Sequence, residues 1–201
     1  VMLKPVDIYD RLMAGRGDAA DPFNCHIVAS ILALAGAETG GLCAGCGLSG
    51  EALSQLVASL FPGADLRGSE FGEDPRLSEE EASLLDLLAR FSTSASPLEE
   101  TLAAMIARRA QRANHLWQDL GLENRGELSR LMELHFAPLA ARNRQDMKWK
   151  KFFYRMICAD TGYSLCTAPS CSECADFDAC FGDEAGPSLF AHTRRGAETA
   201  L

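Results

Sequence analysis

Apolar residues recur along most of this chain at the three- and four-residue spacings of an α-helix, and nowhere in the alternation of a half-buried strand. Leu53, Leu56, Val57 and Leu60 make one stripe, which Pro62 and Gly63 terminate. Leu84, Leu85, Leu88 and Phe91 make another, with Ser78 and Glu81 spaced for a capping box ahead of it. Leu98, Leu102, Met105 and Ile106 repeat the pattern after Pro97, a residue suited to a first helical turn. Leu128, Leu131, Met132 and Leu139 continue it, although Pro138 should kink or end that helix. Trp149, Phe152, Phe153, Met156 and Ile157 give the strongest stripe. The run IVASILALAGA, residues 27–37, is apolar all round and too short to span a bilayer, so a buried helix is expected there.

Glycine- and proline-bearing connections at 37–50, 61–75, 92–97 and 121–126 separate these stripes. The pattern predicts an all-α fold, a helical bundle of about seven helices with an irregular C-terminal cysteine-rich metal-binding segment. The expected division is a helical domain over 1–157, a cluster-binding segment over 158–182 packed on it, and a polar tail over 183–201, expected to be partly disordered.

A length of 201 residues can bury a real core without covalent staples, so the eight cysteines are not needed for stability alone. The formal charge of −9 argues against non-specific binding to nucleic acid or an anionic membrane. Asp18 and Asp21 stand before the apolar run where a signal peptide would need positive charge. The cytoplasm is therefore the expected compartment, and in a reducing compartment many cysteines read as metal ligands more naturally than as disulfides. There is no G-x-S-x-G, phosphate-cradling P-loop or H-E-x-x-H, so no catalytic signature is found and a non-enzyme is expected.

The thiols concentrate in CTAPSCSECADFDAC, residues 166–180, with the spacing C-x4-C-x2-C-x5-C. Cys166, Cys171, Cys174 and Cys180 are the candidate metal ligands, and Cys158 is a fifth thiol within range. Four thiolates suit a closed tetrahedral zinc site, but zinc sites of this class usually bring two short hooks from separate turns. One hook between two longer arms is closer to iron–sulfur ligation. Spacing leaves both open, with a disulfide knot as a third reading.

Just upstream, RNRQDMKWKKFFYR (142–155) holds six basic residues against one acid. Lys148, Lys151 and Arg155 fall at i, i+3 and i+7 on one face, with Lys150 in the same block. Such a patch is either a solvated helix face or an attraction site for anions, and both an all-thiolate cluster and an incoming oxyanion are anionic.

NHLWQDLGL (114–122), LMELHFAPLAARN (131–143), MKWKKFFYRMIC (147–158) and the cysteine segment ending in CFG (180–182) together resemble the NifQ family of nitrogen-fixation proteins. The resemblance implies a cytoplasmic carrier of a molybdenum–iron–sulfur cluster that supplies molybdenum for the nitrogenase iron–molybdenum cofactor. It implies molybdate as the molybdenum source, and the nitrogenase cofactor-assembly scaffold and nitrogenase reductase proteins as partners. The family's cysteine motif falls on Cys166, Cys171, Cys174 and Cys180. The alternatives are a zinc-stabilised interaction protein and an iron–sulfur electron carrier.

His115 and His135 lie in family-like stretches and are further candidate molybdenum ligands, although a packed, hydrogen-bonded histidine is the simpler expectation for each. Cys43 and Cys46 form a second C-x2-C in GGLCAGCGL, a departure from the family pattern. The pair is expected to be structural, the competing uses being a two-hook zinc site with Cys171 and Cys174 or a redox pair. Cys25, His26, Trp117 and Trp149 are expected to be buried.

Overall fold

The computed structural model describes residues 4–66, 70–160, 177–181 and 183–189. Eleven helices and no strand occur among the described residues: α1 (Pro5–Ala14), α2 (Pro22–Gly36), α3 (Gly41–Cys46), α4 (Gly50–Leu60), α5 (Glu79–Arg90), α6 (Pro97–Ala110), α7 (Leu116–Asp119), α8 (Arg125–His135), α9 (Ala137–Ala140), α10 (Trp149–Asp160) and α11 (Phe177–Phe181). The expected count of about seven is corrected upward. The surplus is α3, α7, α9 and α11, helices of four to six residues that are too short to carry a periodic stripe.

α2 is the spine of the first half. Pro22 at its first turn and the Asp21 carboxylate, accepting from the Asn24 N–H at 2.9 Å, start it. Every residue from Ile27 to Ala35 is buried, which is why the sequence is apolar on all sides there. α1 packs on α2 through Ile8 and Leu12, and α3 packs on its other side. Gly45 permits that second approach, since a Cβ there would lie 2.7 Å from the Ala35 carbonyl oxygen.

α6 joins the halves, touching α3, α4, α5 and α7. The Ser96–Glu99 capping box forms its start, and Pro97 takes the first turn as expected. At α5 the expected capping box is half made. Ser78 accepts from the Glu81 N–H at 3.1 Å, but the Glu81 carboxylate turns inward to Arg108 Nε at 2.9 Å. The buried stripe of α5 is Leu84, Leu87 and Leu88. Leu85 is only partly buried. The helix ahead of Pro138 does end early, at His135, and Pro138 sits in the first turn of α9.

α10 buries Trp149, Phe152 and Phe153 and packs on α5, while Lys151, Tyr154 and Arg155 face outward. Both ends of this helix, about 18 Å apart, are fastened. At the C-terminal end Asp160 accepts from Arg90 at 2.6 Å. At the N-terminal end the Lys148 N–H donates to the Cys180 carbonyl at 2.8 Å, and Lys148 Nζ to the Asp178 carbonyl at 3.0 Å. The chain thus leaves the described body at one end of α10 and rejoins it at the other.

The start of the expected polar tail is docked rather than loose. Glu184 and Ser188 are buried, and Gln118 Nε2 donates to the Pro187 carbonyl at 2.9 Å. No helix among the described residues is long and apolar enough to cross a membrane.

Candidate metal and anion site

Cys166, Cys171 and Cys174 lie outside the described residues; Cys180 and Cys158 lie within them. Both are half-buried, Cys158 near the end of α10 and Cys180 on α11. Among the described residues, no three histidine, cysteine, aspartate or glutamate side chains converge as a metal site.

The other thiols are of a different kind. Cys25, Cys43 and Cys46 are fully buried in the apolar core. Burial raises all three above the ordinary thiol value, and Cys46 is pushed up to about 12. A buried thiol that resists ionisation is a poor metal ligand and a poor nucleophile. The C-x2-C of α3 is packed in the core, as a structural pair would be, and Cys171 and Cys174, its partners in the two-hook zinc reading, lie outside the described residues.

Next to α11, the first turn of α10 forms one wall of an open cleft of ≈ 420 Å³. Lys148, Lys150 and Lys151 line it together with His115, Glu184 and Ala179, the neighbour of Cys180. Arg155, expected on the same face, does not line it.

The three lysines are not equivalent. Lys150 turns inward: its Nζ lies 2.5 Å from Asp119 Oδ2 and donates to the Arg112 carbonyl at 2.6 Å. Asp119 is 2 % exposed and also accepts from Asn114 at 3.0 Å, while its carbonyl takes the Arg109 Nε–H at 2.7 Å. Arg109 and Arg112 then share Glu38, at 2.6 and 2.5 Å. Burial alone would raise the Glu38 carboxyl, but the Arg112 and Arg109 guanidiniums outweigh it and hold Glu38 below the ordinary carboxylate range. Lys150 therefore bolts α10 to α7, and its charge is largely spent on Asp119. Lys148 Nζ donates to the Asp178 carbonyl and has no ion-pair partner among the described residues. Lys151 is exposed and has no ion-pair partner among the described residues.

His115 also lines the cleft, immediately before α7. Its Nδ1 is 3.3 Å from Glu184 Oε1, and Glu184 Oε2 is paired with Arg125. Arg125 in turn reaches Asp146 Oδ1 at 2.7 Å and the carbonyls of Asp146 and Met147. Asp119 and Glu184 are the positioning residues that sequence reasoning missed. Asp119 lies in NHLWQDLGL, where a signal was available. Glu184 lies in a stretch without periodicity, where none was.

The structure does not bring His135 to this cleft. His135 sits between α2 and α6, with Nε2 2.8 Å from Asn24 Oδ1 and Nδ1 3.8 Å from Glu99 Oε1. Burial holds it below the ordinary histidine value. The simpler expectation, a packed histidine, describes it. His26 is similarly engaged, with Tyr9 at 2.9 Å and Glu127 at 3.3 Å.

Residues 27–182 match the model of the NifQ family. "Protein NifQ homolog" of Sinorhizobium fredii is 43 % identical over 154 residues, covering 76 % of this chain and 67 % of that protein. "Protein NifQ" of Rhodobacter capsulatus is 40 % identical over 159 residues, covering 79 % and 87 %. "Protein NifQ" of Klebsiella pneumoniae is 48 % identical over 81 residues, covering 40 % and 48 %. No solved structure matches the chain.

Proposed function

The chain belongs to the NifQ family, which gives it a role in nitrogen fixation, and on that premise we propose that it is a non-catalytic carrier of molybdenum. The cargo is a molybdenum–iron–sulfur cluster bound to the thiolates of Cys166, Cys171, Cys174 and Cys180. Its destination is the nitrogenase iron–molybdenum cofactor, through the cytoplasmic cofactor-assembly scaffold and the nitrogenase reductase.

One observation carries this reading. The helix that presents Cys180 is hydrogen-bonded, through Lys148, to the rim of a cleft holding two lysines that, among the described residues, have no carboxylate partner. Thiolate ligands suit iron and reduced molybdenum, and a cluster of thiolates and sulfides is anionic, so cations beside it stabilise the loaded form. The half-exposed Cys180 and Cys158 fit a cluster that must leave again, whereas the buried thiols of α2 and α3 do not. Cys158 is then available as an alternative ligand during transfer.

Metal-loaded protein, prepared anaerobically with molybdate supplied, should be mixed with the metal-free assembly scaffold and reductase and then separated from them. Molybdenum should move to the partners together with loss of the loaded protein's visible absorption. Molybdenum that stays put, with a reversible redox couple, would make the protein an electron carrier instead.

A further inference from the structure

The cleft beside α11 carries a second role, distinct from the cysteine ligands. We propose that it is a docking site for a tetrahedral oxyanion of molybdate's size and charge, held by Lys148, Lys151 and His115 and built by Glu184 and Lys150. This inference rests on the carrier reading only for the identity of the oxyanion.

The cleft's charge is uneven by construction. Of the cationic groups that line it, Lys150 is neutralised by Asp119, which leaves Lys148, just before α10, and Lys151, in its first turn, without a carboxylate partner among the described residues. Among the described residues the one carboxylate that lines the cleft, Glu184, is 5 % exposed and its charge is answered by Arg125, so it does not cancel the lysines. Glu184 instead takes the Nδ1 side of His115, and Nε2 has no partner among the described residues. A carboxylate on one ring nitrogen fixes which nitrogen is left to meet a ligand. The N-terminal end of α10 adds a favourable dipole.

Lys150 and Glu184 are positioning residues. Lys150 holds α10 against α7, which keeps the lysine wall and the histidine wall at a fixed separation. Glu184 orients the ring. An open cleft with two ammonium groups that lack carboxylate partners among the described residues suits an anion that binds, waits and moves on, in keeping with an entry point rather than a storage site.

Equilibrium dialysis of molybdate against the full chain tests this, with sulfate and tungstate as competitors. Wild type should bind saturably and be competed by both. The double variant K148Q/K151Q should bind about tenfold more weakly, as expected for losing two charge-assisted contacts, with unchanged helical circular dichroism. E184Q should weaken binding less and should also alter the ¹⁵N imidazole signals of His115, a readout that a purely structural loss would not move. Equal binding by wild type and K148Q/K151Q, or no saturable binding by wild type, would overturn the site. The two readings fail separately. Lysine-dependent binding with no molybdenum ever accompanying iron and sulfide would keep the site and sink the carrier. Equal molybdenum loading of wild type and K148Q/K151Q would do the reverse.

Discussion

Two pairs of cysteines in this protein live in opposite surroundings. Cys43 and Cys46 sit at metal-ligand spacing, yet both are fully enclosed by apolar side chains, and desolvation drives the Cys46 thiol up to about 12. Cys158 and Cys180 are twenty-two residues apart and half-buried at the two ends of a basic helix. A thiolate must be formed and reached before it can bind metal, so surroundings decide what spacing only suggests.

The sharpest way to break that contrast is to remove thiols from each side. Ala at Cys166, Cys171, Cys174 or Cys180 should abolish most of the bound iron while leaving the helical circular dichroism signal near that of wild type. The C43A/C46A double variant should do the opposite, keeping its metal and losing about 1 kcal/mol of stability per truncated core side chain. Global unfolding of the first set would make that site structural.

A smaller effect is expected at the bolt between α7 and α10. D119N leaves Lys150 facing an uncharged amide in a mostly buried position and should cost about 3 kcal/mol in denaturant unfolding. K150M removes the partner charge instead. The destabilisation of the two variants together should be clearly less than additive, because they break one interaction.

The smallest effect concerns pH and lies away from both thiol groups. His135 is held below the ordinary value of 6.5, chiefly by burial, so its neutral form is the one the fold accommodates. That contribution is present above about pH 6.5 and is lost as pH falls through the folded-state value. H135N should remove this first loss. The second loss, below the ordinary carboxylate value of 4.5, belongs to Glu38, Glu99 and Glu127, all held low by cations or hydrogen bonds that outweigh their burial, and should remain.

Much of this architecture could be read from the sequence in α2, α4, α5, α6, α8 and α10, whereas α1, ten residues long, was not read as a stripe. The stripes at Leu53–Leu60, Leu102–Ile106 and Trp149–Phe153 are buried where periodicity puts them. The four short helices escaped because one turn of helix has no period to detect. The lysine block was legible from composition, but its division of labour was not: Lys150 depends on Asp119, 31 residues away, and His115 on Glu184, 69 away. Pairings of that range are set by how α7, α10 and the segment after α11 come together. The docking of Asp183–Leu189 was hidden for the same reason, since its anchors, Arg125 and Gln118, belong to other elements.

The most direct measurement is the iron, molybdenum, zinc and acid-labile sulfide content of strictly anaerobically purified full-length chain, wild type beside C43A/C46A and C180A, each expressed with molybdate. Iron, sulfide and molybdenum in the first two, and their loss from C180A, is the expected result. Zinc alone in wild type, or metal lost from C43A/C46A and retained by C180A, would contradict it.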